Sequence, residues 1–326
     1  MRTLFMAGWV SALFFLAGCA SDGDDPSPAP GEIVPGKNRF TLTIEGRERV
    51  YWVHVPASYT GATEVPVVVM LHGTNQTGEQ FYNISGWREV GEAEGILTVF
   101  PTALVHCVVE DGQSQEVTKW NSYPDTGGWE HCPGITPAND ELFLRGVLTD
   151  LDARFAIDPA RVYVVGFSNG GEMAARCAVA LSDVFAASIA CGGGGALPRE
   201  GAGTPVRLLP VLLQFGNADA KLMNAVGATS PLPMNFVDLF SAYPGVYSRV
   251  PKPYIDTFGL DESSVTISGD STAFIVADYL GLSGDPENVF TLVEVKGLEH
   301  EYPNTINHPL NGAALHWAWL RRFSLP

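Results

Sequence analysis

The segment VYVVGFSNGGEMAAR (162–176) places a serine between glycines, where a strand pattern gives way to a helix pattern. The apolar run before the serine predicts a buried strand, and the run after it predicts a helix. Glycine weakens both kinds of element, so packing alone gives no reason for Gly166 and Gly170. In a strand–turn–helix unit, G-x-S-x-G holds the serine at a sharp turn with its hydroxyl exposed above the sheet. Ser168 is therefore a candidate nucleophile.

The rest of the chain predicts the sheet that such a turn requires. Residues 39–56 alternate apolar and polar side chains about a central Glu-Gly, which predicts an antiparallel hairpin. Continuous apolar runs, typical of strands buried on both faces, occur at 65–71, 96–101, 161–167, 184–191, 211–216 and 289–295. Helical patterns separate most of these runs, so we expect an α/β fold with a mostly parallel sheet and helices on both faces.

Residues 1–19 have the layout of an export signal. An arginine precedes an apolar stretch that is too short and too weakly flanked to span a membrane. Its end, LAGC (16–19), resembles a bacterial lipobox, which predicts lipidation of Cys19; the alternative is a soluble secreted protein that has lost this residue. Residues 20–37 are rich in Pro, Asp and Ser and predict a flexible tether, and residues 38–326 predict one catalytic domain.

Charge and cysteine content limit the partners. The net charge of −17 argues against nucleic acid, because phosphates would be repelled. Besides the lipobox cysteine, the chain has four others, and an even number in an exported chain predicts two disulfides with three possible pairings. We favour the local pairs, Cys107 with Cys132 and Cys177 with Cys191. No Cys-x-x-Cys motif or close Cys/His cluster occurs in the sequence, so we expect no metal.

Two segments lack the strand–helix alternation. Residues 102–138 carry several aromatic side chains together with the first cysteine pair. Residues 218–287 separate two predicted strands and are too long for a plain loop. We expect both to be inserts, and the second to form an excursion over the site.

A serine hydroxyl is a weak nucleophile and needs a base and a group that orients the base. In this architecture the order along the chain is serine, acid, histidine. His300 and His308 both follow the last predicted strand, and we favour His300 because it lies in a loop just beyond that strand. For the acid we favour Asp219, in the tight turn after strand 211–216, over Asp256 inside the excursion.

Acyl transfer also needs donors for the developing oxyanion. We expect them to be the backbone amides of Asn169 and Thr74, with His72 bracing the loop of Thr74. Aromatic residues that could line a substrate pocket, although each also fits a place in the core, are Phe167, Trp120, Tyr123, Trp129 and Tyr302.

These motifs together resemble the polyhydroxybutyrate depolymerase and feruloyl esterase group of secreted α/β-hydrolases. The resemblance covers most of 65–302 and is carried by VVVMLHG, GWREVGEAEGILTVFP, DELFLRGVLTDLDARFAIDPARVYVVGFSNGGEMA, FGNAD and GLEHEYP. It implies the α/β-hydrolase fold, ester hydrolysis without a metal, and a triad of Ser168, Asp219 and His300. The chain departs from the family at Tyr302, where Trp is common, and at TNQ (74–76), where a Gly/Cys-rich loop is common.

The sequence thus predicts an exported serine esterase that works through an acyl-enzyme and needs no cofactor. We expect a monomer that acts on small or polymeric esters, such as feruloyl or acetyl esters of polysaccharides or hydroxyalkanoate esters, and that meets a membrane only through its lipid. Two alternatives remain open: a serine peptidase on the same fold, and a non-catalytic surface binding protein.

Overall fold

A computed structural model describes residues 33–123, 128–193, 203–285 and 287–326. The predicted signal segment, the lipobox Cys19 and most of the tether lie outside these residues. The first strand begins at Gly36, so the last two residues of the predicted tether already belong to the sheet. None of the described helices is both long and apolar enough to cross a membrane.

The elements are numbered in chain order. The described strands are β1 (Gly36–Ile44), β2 (Arg47–Val55), β3 (Val65–Leu71), β4 (Leu97–Pro101), β5 (Val105–Glu110), β6 (Gln113–Thr118), β7 (Trp129–His131), β8 (Ile157–Phe167), β9 (Ala187–Cys191), β10 (Val211–Gly216), β11 (Thr266–Asp270), β12 (Phe274–Leu280) and β13 (Val289–Val295). The described helices are α1 (Gly78–Ile84), α2 (Trp87–Glu94), α3 (Asp140–Arg154), α4 (Asn169–Ala180), α5 (Ala220–Val226), α6 (Phe236–Ala242), α7 (Pro244–Arg249), α8 (Pro251–Phe258) and α9 (Gly312–Leu320), with a 3₁₀ turn at Glu262–Ser264.

The main sheet has the strand order β1-β2-β4-β3-β8-β9-β10-β13-β12-β11. Its centre, from β4 to β13, is parallel, and the predicted hairpin β1–β2 joins it antiparallel at one edge. The predicted α/β fold is therefore confirmed. Because the central strands are parallel, their carboxyl ends meet at one rim of the sheet, where loops from several strands can converge.

The long segment 218–287 differs from the expected excursion. Its last part forms β11 and β12, which add two antiparallel strands to the second edge of the main sheet. Its helices α6 and α8 place Phe236, Leu239, Tyr254 and Phe258 in a core cluster with side chains of β10 and β13. The segment therefore forms one edge of the sheet with its strands and covers one face of the sheet with its helices.

The insert 102–138 carries a small sheet with the order β6-β5-β7. The predicted disulfide between Cys107 and Cys132 ties β5 to the chain just after β7. The second predicted disulfide is wrong, because Cys177 and Cys191 are both free and buried. Successive strand residues point to opposite faces, and Cys191 packs in the core cluster on one face while Cys177 of α4 packs in the cluster on the other. A disulfide cannot form across the sheet.

Glu294 is an unusual residue of β13, because its carboxyl group is completely buried and has no hydrogen-bond partner among the described residues. It lies between Phe215 of β10 and Ile275 of β12. Burial raises the pKa of Glu294 from 4.5 to about 8, since a charged carboxylate in apolar surroundings is costly.

We predict that Glu294→Gln removes a pH dependence of stability. Between pH 4.5 and about 8 the folded chain holds a proton on Glu294 that the unfolded chain has lost. The free energy of unfolding should therefore fall by about 1.4 kcal/mol per pH unit as the pH rises through this interval. Urea unfolding at pH 5 to 8 should show this slope in the wild type and lose it in Glu294→Gln. The exposed Glu116→Gln is the control, and equal slopes in all three proteins would contradict the prediction.

Candidate active site

Ser168 lies at the turn between β8 and α4 with backbone angles of φ 54° and ψ −122°. A non-glycine residue avoids this region, and holding it there costs about 1–3 kcal/mol. The Ser168 amide donates to the carbonyl oxygen of Cys191 at the end of β9, over 2.8 Å. The turn is therefore fixed to the neighbouring strand, and the hydroxyl stands at the positive N-terminal end of α4.

The glycines on either side of Ser168 are required by close backbone approach. A Cβ at Gly166 would lie 1.9 Å from the carbonyl oxygen of Gly170. A Cβ at Gly170 would lie 2.4 Å from the carbonyl oxygens of both Leu71 and His72, at the end of β3. Side chains at these positions would force the strand, the turn and the helix apart.

His300 and Asp219 meet Ser168 at the carboxyl rim of the sheet. The Nε2 atom of His300 lies 2.9 Å from Ser168 Oγ, and its Nδ1 atom lies 2.8 Å from Asp219 Oδ2. The other oxygen of Asp219, Oδ1, accepts from the amides of Lys221 and Leu222 and caps α5. The carboxylate is 2% exposed and held from both sides, so it can fix the orientation of the imidazole.

The two rival residues lie elsewhere. His308 is half-buried, and its ring nitrogens are engaged by the Lys296 carbonyl oxygen and the Leu310 amide. Asp256 lies on α8 and pairs with Lys252 one turn away. The structure therefore brings Ser168 together with His300 and Asp219 and leaves the rivals outside the site.

The loop after β3 is organised by His72. Its Nδ1 lies 2.7 Å from the carbonyl oxygen of Gly73, and its Nε2 accepts from the amide of Ala103 at 3.0 Å. Complete burial lowers the pKa of His72 to about 4, so the ring is neutral at pH 7 and Nδ1–H is the donor. The amides of Thr74 and Asn169 both lack an acceptor among the described residues, which leaves them available to a bound group.

The side chain of Asn169 joins the turn of Ser168 to the insert. Its Oδ1 accepts from the amide of Trp120 at 2.7 Å, and its Nδ2 donates to the Trp120 carbonyl oxygen at 3.2 Å. The same Nδ2 lies near Ser122 Oγ and Glu172 Oε2. The sequence predicted a role only for the backbone amide of Asn169, because the partner segment is about 50 positions away.

The aromatic residues expected in a substrate pocket are mostly interior. Trp120 is fully buried, and Trp129 packs with Val108 and Val117 of the small sheet. Phe167 contacts the ring of His300, with ring centroids 5.2 Å apart and the ring planes tilted by 44°. Tyr123 is 3% exposed and belongs to the core cluster of α6 and α8.

Tyr302 is also buried and belongs to a polar network behind the His300 loop. Trp87 Nε1 donates to the Tyr302 hydroxyl at 2.9 Å, and this hydroxyl donates to Nδ1 of His316 at 2.8 Å. His316 Nε2 lies 3.1 Å from the side-chain oxygen of Gln214. Burial lowers the pKa of His316 to about 3, so this ring is neutral at pH 7. The hydrogen bonds from Trp87 to Gln214 therefore fix the chain at Tyr302, two residues after His300.

Comparison with known proteins agrees with the fold and with esterases as the kind of protein. Residues 50–197 match the family described as "Esterase PHB depolymerase". The chain is 28% identical over 272 residues to NocK of Nocardia uniformis subsp. tsuyamanensis, whose name describes it as an esterase, covering 76% of this chain and 71% of NocK. It is 32% identical over 142 residues to poly(3-hydroxyalkanoate) depolymerase C of Paucimonas lemoignei, covering 43% of this chain but 30% of that protein. It is 27% identical to feruloyl esterase B of Piromyces equi, covering 42% of this chain and 22% of that protein.

Solved structures share the fold. The acetyl xylan esterase from Aspergillus awamori superposes with a TM-score of 0.55 at 16% identity, covering 87% of this chain and 99% of that one. An S-formylglutathione hydrolase from Agrobacterium tumefaciens superposes with a TM-score of 0.50, also at 16% identity, covering 86% of this chain and 93% of that one.

The parallel sheet, with a sharp strand-to-helix turn at Ser168, defines the α/β-hydrolase fold. Within that class, the match over residues 50–197 and the named relatives support the predicted resemblance to the polyhydroxybutyrate depolymerase and feruloyl esterase group, and with it carboxylic ester hydrolysis.

We predict that Gly170→Ala disrupts this site. The new Cβ would press on two backbone carbonyls that cannot move independently of β3, and overpacking of this kind typically costs about 1–3 kcal/mol or more. Ester hydrolysis should fall sharply and the melting temperature should drop. Gly245→Ala is the control, because its Cβ would meet only Val226 at an ordinary 3.8 Å. Wild-type activity in Gly170→Ala would show that the close approach is not required.

Proposed function

We propose that this protein is a serine esterase in which Ser168 is the nucleophile, His300 the general base and acid, and Asp219 the group that orients His300. The observation that carries the proposal is the unbroken contact from Ser168 Oγ through His300 to Asp219, at 2.9 and 2.8 Å. A serine hydroxyl acts as a nucleophile only when such a base can take its proton.

In the proposed reaction, Ser168 Oγ attacks the ester carbonyl while its proton passes to His300 Nε2. The negative charge that develops on the carbonyl oxygen is held by the amides of Thr74 and Asn169 and by the N-terminal end of α4. His300 then gives the proton to the departing alcohol, which leaves an acyl group on Ser168. Water, activated by the same imidazole, releases the acid and restores the hydroxyl. Asp219 stays ionised and stabilises the imidazolium that forms in each half of the cycle.

We predict that Ser168→Ala and His300→Ala each lower kcat for p-nitrophenyl acetate by at least about 10⁴-fold, with unchanged circular dichroism. The matched controls are His308→Ala and Asp256→Ala, which remove the rival histidine and acid and should retain wild-type activity. A fluorophosphonate probe should label the wild type at Ser168 and leave Ser168→Ala unlabelled. Substantial turnover by Ser168→Ala would disprove the mechanism, and faster cleavage of a dipeptide anilide than of esters would favour a peptidase.

The substrate is proposed as a carboxylic ester of the kinds named by the relatives. These are feruloyl or acetyl esters of polysaccharides and hydroxyalkanoate esters. The chain spans less than a third of the matched depolymerase C and feruloyl esterase B, so their substrates come to this chain only as candidates. Relative kcat/KM values for acetyl-xylan, methyl ferulate and hydroxybutyrate oligomers would rank these classes.

The enzyme is further proposed to be exported and attached to a membrane through a lipid on Cys19. The support is the LAGC segment (16–19) in the sequence and the disulfide between Cys107 and Cys132, a bond that persists in oxidising compartments.

We predict that Cys19→Ser releases the protein from the membrane fraction of expressing bacteria and abolishes labelling by an alkyne analogue of palmitate. Acyl chains hold a protein at a bilayer by burying their methylene groups, and the variant lacks the thiol that would carry the lipid. Ser21→Ala should remain labelled and membrane-bound. An unlabelled, soluble wild-type protein would contradict lipidation.

A further inference from the structure

We propose that Trp120 is a positioning residue that sets the separation of the two amides that hold the oxyanion. This inference rests on the proposed esterase function and assigns a task to the disulfide-bonded insert. Trp120 follows β6 and is completely buried, so it does not contact substrate. Its main chain and its indole ring instead bind the two loops that carry the amides.

The first connection is to the loop after β3. The indole Nε1–H of Trp120 donates to the carbonyl oxygen of His72 at 2.9 Å. Two residues before Trp120, the carbonyl oxygen of Thr118 accepts from the amide of Asn75 at 2.8 Å. The insert therefore holds the peptide groups on both sides of the Gly73–Thr74 peptide.

The Gly73–Thr74 peptide is itself held by His72, whose Nδ1–H donates to the Gly73 carbonyl oxygen. In a trans peptide the N–H points opposite to the carbonyl of the preceding residue. Fixing the Gly73 carbonyl therefore fixes the direction of the Thr74 amide. Three consecutive peptide groups, two held by the insert and one by His72, leave this amide no freedom to turn away from the site.

The second connection is to the nucleophile turn. The amide and the carbonyl of Trp120 pair with Oδ1 and Nδ2 of Asn169, at 2.7 and 3.2 Å. The residue whose own amide is the second oxyanion donor is thus anchored by its side chain to Trp120. One residue spans both donors, so a shift of Trp120 changes the distance between them.

The insert is also anchored to β2 and α3 next to Trp120. Asp140 is buried at the start of α3, where Oδ1 accepts from Arg49 and Oδ2 accepts from the amide of Asn121, each at 2.7 Å. The residue after Trp120 is therefore tied to a buried ion pair. A segment anchored in this way can act as a rigid spacer between two loops.

Trp120→Phe tests the inference, because it keeps an aromatic ring and removes the indole N–H. We expect kcat for p-nitrophenyl acetate to fall by about 10- to 100-fold with little change in KM, since a displaced donor acts on the transition state. Phenylboronic acid forms a tetrahedral adduct with an active-site serine, and its inhibition constant should rise by a similar factor. The control is Trp317→Phe, which removes a buried indole N–H that has no partner among the described residues.

Asn169→Ala keeps the backbone amide of residue 169 and removes the two side-chain hydrogen bonds that connect it to the main chain of Trp120. It should lower kcat and phenylboronic acid affinity as Trp120→Phe does. The double variant should be no worse than either single variant, because the two changes break opposite ends of one connection, from the loop after β3 through Trp120 to the turn of Ser168. Equal kcat and equal inhibition constants in Trp120→Phe and Trp317→Phe, or additive losses in the double variant, would overturn the inference. A wild-type protein with no hydrolysis dependent on Ser168 would instead refute the proposed function itself.

Discussion

The strained backbone of Ser168 is the constraint around which the rest of the structure is arranged. Its φ of 54° persists only because the surroundings leave the turn no alternative. The Ser168 amide is bonded to β9, and Gly170 lies directly on the carbonyls that end β3. The turn is therefore held between two parallel strands. This geometry lifts the hydroxyl above the rim of the sheet and aligns it with α4.

Around this turn, two buried polar networks hold the loops that face the hydroxyl. Trp120, Asn169 and His72 connect the insert with the loop after β3 and with the turn of Ser168, and Tyr302 with His316 supports the loop of His300 from behind. Buried polar groups are costly unless they are paired, but a fully paired network is rigid. The imidazoles of His72 and His316 stay neutral in these networks because burial lowers the pKa of each.

The sequence predictions that succeeded concern features set by residues close together along the chain. Local patterns were sufficient for the central strands, for the hairpin and for the turn of Ser168, because these features depend on neighbours in the chain. Chain order was enough to single out the histidine and aspartate that the structure brings to Ser168. The edge strands β11 and β12 were missed because neither is a continuous run of buried residues like the central strands. Every residue of β11 is exposed, and β12 buries only alternate residues. The wrong pairing of Cys177 with Cys191 followed from their closeness in sequence, which carries no information about the face of the sheet.

The sequence by itself determined the order of the central elements, the position of the Ser168 turn and the resemblance to a group of esterases. Periodicity and glycine placement express short-range sterics, which act between residues close along the chain. Only the tertiary structure decided that Trp120 bridges two loops, that Tyr302 supports a loop rather than a substrate, and that residues 218–287 extend the sheet. Those roles depend on hydrogen bonds and packing between residues from about 50 to more than 200 positions apart, and no local pattern specifies which distant partner a buried donor will meet.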